Sequence, residues 1–346
     1  MIELRDNAMV FSFPEAHPQA TLQIEFQRTL RIPDDGEDYP LPPGLGQFPL
    51  CHVDDFANKV PGGWIEHGGV MLPMYQSEAM WLNFDSIYIE DREAEYPFAI
   101  KVATGKIDAV TGSAWAEGVH RHPQDYVVAP KQPWLDGYCV EKGIIRQFVA
   151  MPLGSGYSAE EQITGKAEIG GIQIAVYPMK RSVFDRRFPK IKRHRRDQTV
   201  ELCASRVDLC RGHAAPDMGV APGGRMRQEI YDDPFRLEDW DTEHSSRCFV
   251  HLANSLTWRA ITGKNPPTAP RTAKEYSEAG LPWFEYYEDE PTAVGGATIL
   301  KGLKSIATLG KEKGGVPLPE NETCTPLQVI ALRQGLKEGQ VREGAF

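Results

Sequence analysis

Long apolar runs are missing from this chain, and none of its stretches approaches the roughly 20 residues that a membrane-spanning helix requires. The first residues, MIELRDNAMVFSFPEAHP, carry acid where an export signal carries basic groups, and the apolar stretch at 8–13 is too short for an export core. The expectation is a chain that stays in the cytoplasm, with no membrane partner. Cysteine is scarce: Cys51, Cys139, Cys203, Cys210, Cys248 and Cys324 are scattered over 346 residues. That is too sparse for a disulfide scaffold, so reduced thiols packed as small hydrophobes are expected. Neither G-x-x-x-x-G-K-[ST] nor G-x-G-x-x-G occurs, which excludes the familiar nucleotide-binding loops. Gly154-Ser155-Gly156 lacks the outer residues of a nucleophile elbow, and a glycine-rich turn accounts for it. No internal repeat is visible.

What remains is an ordinary globular composition. With 346 residues, 41% of them hydrophobic, the chain can bury a large core, as two domains or one elaborate one. Charged residues make up 25%, and the net charge of -10 works against nonspecific binding to nucleic acid or anionic membrane by the molecule as a whole.

Short apolar runs cut by glycine and proline dominate the first half. Residues 22–31 (LQIEFQRTLR) alternate, with Leu22, Ile24 and Phe26 on one face of a half-buried strand. The proline-rich stretch that follows (YPLPPGLGQFP) forbids regular ladders and reads as an extended connector pinned by its apolar residues. A short helical piece is expected at 53–60. Met71, Met74 and Met80 crowd near Trp81; thioethers bind soft copper, but with no histidine or cysteine interleaved they are read as core filler. Residues 98–110 (FAIKVATGKIDAV) read as a hairpin turning at Thr104-Gly105-Lys106. Strands at 126–128, 144–151 and 172–177 are separated by Asp136-Gly137, Gly154-Ser155-Gly156 and Gly170-Gly171 turns. The fold class expected is α+β, predominantly antiparallel sheet in a sandwich or barrel-like form, with a loop-rich, partly helical C-terminal half.

Composition shifts at about residue 180, which divides a β-rich region (1–180) from an irregular α+β region (181–346) packed on it. Residues 180–196 hold nine lysines or arginines against Asp185, and residues 229–243 hold seven carboxylates against Arg236, so the two runs can face each other. Thr272 and Glu275 form a capping box for a short helix at 273–279, stopped by Gly280 and Pro282. Trp283, Phe284, Tyr286 and Tyr287 are too dense for one helix face and are expected to anchor the tail on the body. Thr325-Pro326-Leu327-Gln328 predicts a second helix over 326–337.

Four constellations carry candidate chemistry. Cys203, Cys210, His213, Cys248 and His251 offer thiolates and imidazoles suited to zinc, with Cys210/His213 and Cys248/His251 spaced to grip one ion from a single turn. The gap of six between the first two cysteines matches no usual finger, and packed thiols with backbone-bonded histidines explain the same residues. Gly223, Gly224, Arg225 and Arg227 can present N–H groups and guanidinium forks to an anion, or form a turn with solvated arginines. His120, His122 and Asp125 form a second ligand-like group in what reads as loop. The basic run 180–196, with Phe184 and Phe188 interleaved, can contact phosphates and stack on unpaired bases. The paired acids Asp34-Asp35, Asp54-Asp55 and Asp232-Asp233 read as turn and helix-start residues.

Residues 26–50 (FQRTLRIPDDGEDYPLPPGLGQFPL), 68–81 (GGVMLPMYQSEAMW), 130–165, with the phrase IRQFVAMPLGSGY, and 218–231 (MGVAPGGRMRQEIY) resemble a family of uncharacterised bacterial and fungal proteins. Together they cover much of residues 20–260. No activity comes with the resemblance, so it implies neither mechanism nor site residues, and it speaks against a familiar enzyme fold. Three functions stay open: a binding protein for a protein or anionic small molecule; a zinc-dependent hydrolase using the Cys/His cluster, with Glu201 or Glu229 as base; and nucleic-acid binding through the basic run.

Overall fold

A computed structural model describes residues 1–191, 217–267, 269–286, 293–315, 318 and 321–332. In chain order the strands are β1 (Ile2–Arg5), β2 (Ala8–Ser12), β3 (Thr21–Thr29), β4 (Asp38–Tyr39), β5 (Gly44–Gln47), β6 (Cys51–His52), β7 (Val70–Met74), β8 (Ala79–Ser86), β9 (Tyr88–Ile89), β10 (Ala94–Glu95) and β11 (Phe98–Thr104). They continue as β12 (Ile107–Asp108), β13 (Val127–Ala129), β14 (Trp134–Leu135), β15 (Gly137–Glu141), β16 (Ile144–Pro152), β17 (Ile172–Pro178), β18 (Met218–Arg227), β19 (Ser246–Asn254), β20 (Trp283–Tyr286) and β21 (Val329–Leu332). Short helices α1 (Gly62–His67), α2 (Ala159–Thr164), α3 (Arg181–Arg187), α4 (Ser255–Thr262), α5 (Ala273–Glu278), α6 (Thr298–Lys301) and α7 (Ile306–Glu312) decorate the sheets.

Among the described residues, a ten-stranded sheet runs β1-β2-β3-β8-β16-β18-β4, with β5, β14 and β15 attached beside it. A seven-stranded sheet runs β12-β11-β17-β19-β7-β6, with β13 attached. Most pairings are antiparallel; β18 with β4 and β19 with β7 are parallel. The two sheets share one core. Leu22, Ile24, Phe26, Leu82, Phe84 and Phe148 of the larger sheet pack with Leu72, Phe98, Ile100, Ile174 and Leu252 of the smaller. This is a sandwich and not a closed barrel: side chains from two pleated faces interdigitate, and neither sheet curls onto itself.

The alternation of residues 22–31 becomes β3, whose Leu22, Ile24 and Phe26 are fully buried. The hairpin at 98–110 forms as expected, with Ala103 opposite Asp108 and Thr104 opposite Ile107. The capping box of α5 closes on both sides: Thr272 Oγ1 accepts from Glu275 N at 3.1 Å, and Glu275 Oε2 accepts from Thr272 N at 3.1 Å. Trp283 is fully buried between Tyr39 and Tyr276 and anchors the tail, while Tyr287 and the Tyr286 side chain lie outside the described residues. The methionines divide between two cores, Met74 and Met80 in the sandwich and Met71 in an outer cluster with Trp64 and Trp258.

Two expectations fail. The helix at 326–337 is absent from the described part of that stretch, where β21 pairs in parallel with β20. The branched pair Val329-Ile330 finds a strand partner there, and pairing overrides the local helix-start signal. Residues 53–60 hold only a single 3₁₀ turn, Asp54–Phe56, and a helix follows later as α1. The C-terminal half is loop-rich and partly helical, as expected, and it also contributes strands to both sheets. β18 and β19 pair with β16 and β17, so strands from both sides of residue 180 share the same sheets.

Candidate functional site

Strands β8 and β16 pair only where Met80 and Ala79 lie opposite Phe148 and Val149. Beyond that point β14 pairs with β8, through Trp134–Asn83 and Leu135–Leu82, and β15 pairs with β16 from Gly137 onward. Asp136 is the single residue between β14 and β15, at the fork where two neighbouring strands part. Its N–H donates to Gln228 Oε1 at 3.0 Å and its carbonyl accepts from Phe148 N at 2.9 Å, so its backbone is fixed. Gly137 must be glycine, because a Cβ there would sit 1.9 Å from the Arg146 carbonyl oxygen.

The fork opens into a slot of about 250 Å³. Trp81 of β8, Trp134 of β14 and Phe284 of β20 supply aromatic walls, and the connector Leu41-Pro42-Pro43-Gly44 supplies the rest. Asp136 is the ionisable group among these lining residues. It is only 3% exposed, and its Oδ2 has no hydrogen-bond partner. Burial pushes its carboxyl up to about 7, against the opposing effect of a hydrogen bond from the Trp134 side chain. A desolvated carboxyl with an unpartnered oxygen on a residue that lines an aromatic slot is equipped to orient a ligand, because apolar walls supply affinity and one polar group supplies direction.

A larger cavity of about 320 Å³ lies beside the Gly154–Gly156 turn and α7. Its carboxylates are already engaged. Asp34 Oδ2 accepts from Ala307 N at 2.9 Å, and Asp35 accepts from Tyr39 Oη at 2.7 Å and from Glu37 N at 3.0 Å. Ser155 at its rim donates its hydroxyl to the Pro152 carbonyl, which leaves it a turn residue.

Cys203, Cys210 and His213 lie outside the described residues, as does Glu201. Cys248 and His251 are both in β19, where a spacing of three puts side chains on opposite faces. Cys248 packs against the sandwich core and burial raises its thiol to about 11. His251 stacks on Trp64 at 4.6 Å and on Phe249 at 4.3 Å, bonds the Gly68 carbonyl through Nε2 at 3.0 Å, and is depressed by burial to about 4. The pair therefore cannot grip one ion from a single turn. No group of three or more metal-ligating side chains occurs among the described residues.

Gly223, Gly224, Arg225 and Arg227 are not in a turn; they belong to β18. Gly223 and Gly224 together oppose Gln147, a β-bulge in which two residues face one. A Cβ on Gly224 would meet the Pro33 carbonyl oxygen at 2.4 Å. Gln147 completes this crossing, accepting from Ile32 N at 2.9 Å and donating to the Leu30 carbonyl at 2.8 Å. Arg225 is occupied by Asp38 at 2.7 Å and Glu141 at 3.5 Å, and Arg227 by Glu285 at 3.4 Å.

His120 and His122 are exposed in a loop. Asp125 binds His120 Nδ1 at 2.7 Å and the buried Lys101 Nζ at 2.6 Å, so it serves as a staple between loop and sheet. Of the basic run, residues 192–196 lie outside the described residues. In the described part, Phe184 is fully buried and Phe188 packs against the core, so neither ring is free to stack on a base. The run does meet the acidic one: Lys180 Nζ donates to the Glu238 carbonyl at 2.8 Å, and Arg187 reaches Asp239 at 3.3 Å.

Sequence reasoning missed the slot. Asp136-Gly137 reads as a turn, and Trp81 reads as part of a methionine cluster. The available signal was the tryptophan two residues before an aspartate in QPWLDG, within a stretch otherwise rich in strand formers. No protein-family model, curated protein or solved structure matches this chain.

Proposed function

We propose that this chain is a binding protein whose recognition site is the slot walled by Trp81, Trp134 and Phe284, and that it takes a small molecule or side chain with an apolar body. It works in the cytoplasm, and its kinship with the bacterial and fungal family is part of the same proposal. The observation that carries the reading is Asp136, a buried carboxyl with an unpartnered oxygen in an otherwise apolar recess. Keeping such a group desolvated costs stability, and a ligand that satisfies it offsets the cost. The anion reading loses support because Arg225 and Arg227 are already paired within the fold.

The test is titration with benzyl alcohol, followed by tryptophan fluorescence and saturation-transfer NMR. Saturable binding is expected, and Gly44→Leu should abolish it. Gly44 is exposed with its Cβ direction 3.5 Å from Trp81 Cζ2, so a longer side chain fills the slot without entering the core. Binding that survives Gly44→Leu unchanged would place recognition elsewhere.

A further inference from the structure

Asp136 combines burial without a cation and a place on the lining of an aromatic slot. Glu78 is held by Arg28 through two hydrogen bonds of 3.0 and 2.8 Å, and also accepts from Tyr75 N. Asp125 is held by Lys101. Asp233 takes Tyr126 Oη, Trp240 Nε1 and Phe235 N, with Arg121 at 3.4 Å. These three meet a cation within the fold, whereas Asp108 and Glu160 are held by N–H and hydroxyl donors without one, and Asp108 Oδ2 is likewise unpartnered; neither of them lines the aromatic slot. Asp136 has no ion-pair partner among the described residues; its side chain has the indole of Trp134, its Oδ2 is buried without a partner, and the residue lines a recess walled by π faces.

From this we infer that the slot takes a ligand with a protonated amine on an apolar stem, the ammonium donating to the Asp136 carboxylate while the stem lies between Trp81, Trp134 and Phe284. The inference rests on the slot being the recognition site and deepens it by naming the ligand's chemistry. Two features converge on that group. A desolvated carboxylate makes its strongest hydrogen bond to a charged N–H donor, and aromatic faces attract cations where water is excluded. Trp134 supports both: its indole N–H stabilises the charged form of Asp136 and its ring forms a wall. The ammonium belongs either to a free amine or to a lysine side chain, since both present the same head on a methylene stem.

The experiment compares benzylammonium with benzyl alcohol, matched in body and differing in head, by calorimetry on the whole chain at about pH 8, where carboxyl and amine are both charged. A third arm uses lysine with both backbone ends blocked. Benzylammonium is expected to bind about tenfold or more tighter than the alcohol, with Asp136→Asn bringing the two to parity. Tighter binding of the blocked lysine than of benzylammonium would assign the amine to a polypeptide, and the reverse order to a free small molecule. Equal binding of amine and alcohol by the unaltered chain would overturn the inference and leave the slot standing. Failure of every probe to bind would remove the slot itself.

Discussion

Arg28 closes on Glu78 through both Nε and Nη2, at 3.0 and 2.8 Å from the same carboxylate oxygen, with both side chains almost completely withdrawn from water. The pair joins β3 to the turn that enters β8. Burial raises the Glu78 carboxyl despite this partner, so desolvation outweighs the attraction. Arg28→Met should therefore cost about 3–5 kcal/mol, because it strands a buried charge. The double variant Arg28→Met with Glu78→Met should recover most of the loss, as measured by denaturant unfolding. Additive losses would show that the two side chains are not coupled and would contradict this account.

Gly224→Ala tests the bulge. With its Cβ 2.4 Å from the Pro33 carbonyl oxygen and 2.8 Å from the Ile32 carbonyl oxygen, backbone must move to admit a methyl group. A loss of about 1–3 kcal/mol is expected from such overpacking, read as a lowered midpoint in urea. An unchanged midpoint would mean that β18 does not approach residues 32–33 as described.

Stability should depend on pH in a defined sense. Asp108 and Asp136 are pushed up by burial from 3.8 to about 7. Between those values the folded chain holds protons that the unfolded chain has released, so each group makes stability fall as pH rises, with the cost complete above about 7. His251 acts in the other direction. Its folded value of about 4 lies below 6.5, so its contribution is lost as pH falls through that interval. Asp136→Asn should leave stability near that of the parent at about pH 4 and gain on it by roughly 1 kcal/mol per pH unit toward neutrality. Unfolding curves across that range check the slope, and a pH-independent difference would contradict the burial of an uncompensated carboxyl.

Lys101 is 1% exposed and spends its ammonium on the Ala116 and Gly118 carbonyls, at 2.8 and 3.2 Å, and on Asp125 at 2.6 Å. Lys101→Met should release the loop at 115–125 from the smaller sheet. Hydrogen exchange should quicken across that loop while β17 stays protected, and uniform protection would refute the staple.

Local signals were legible where one element satisfied itself. The alternation of Leu22, Ile24 and Phe26 and the reciprocal bonds of Thr272 and Glu275 need no distant partner, and both form as read. The same chemistry went unread in Ser158–Glu161, which caps α2. Signals failed where partners are remote. Gly223-Gly224 reads as a turn until Gln147 stands opposite, and Cys248/His251 reads as a chelating pair until a strand sends the two to opposite faces. The slot was the least legible feature. It gathers residues 41–44, 81, 134, 136 and 284, and only the parting of β8 from β16 brings them together.

The most direct measurement is the indole Nε1–H spectrum of the tryptophans, recorded while benzylammonium is added. The Trp134 resonance, assigned by Trp134→Phe, should shift saturably in the parent chain and stay still in Gly44→Leu. Shifts confined to tryptophans other than Trp81 and Trp134, or none at saturating amine, would contradict recognition in this slot.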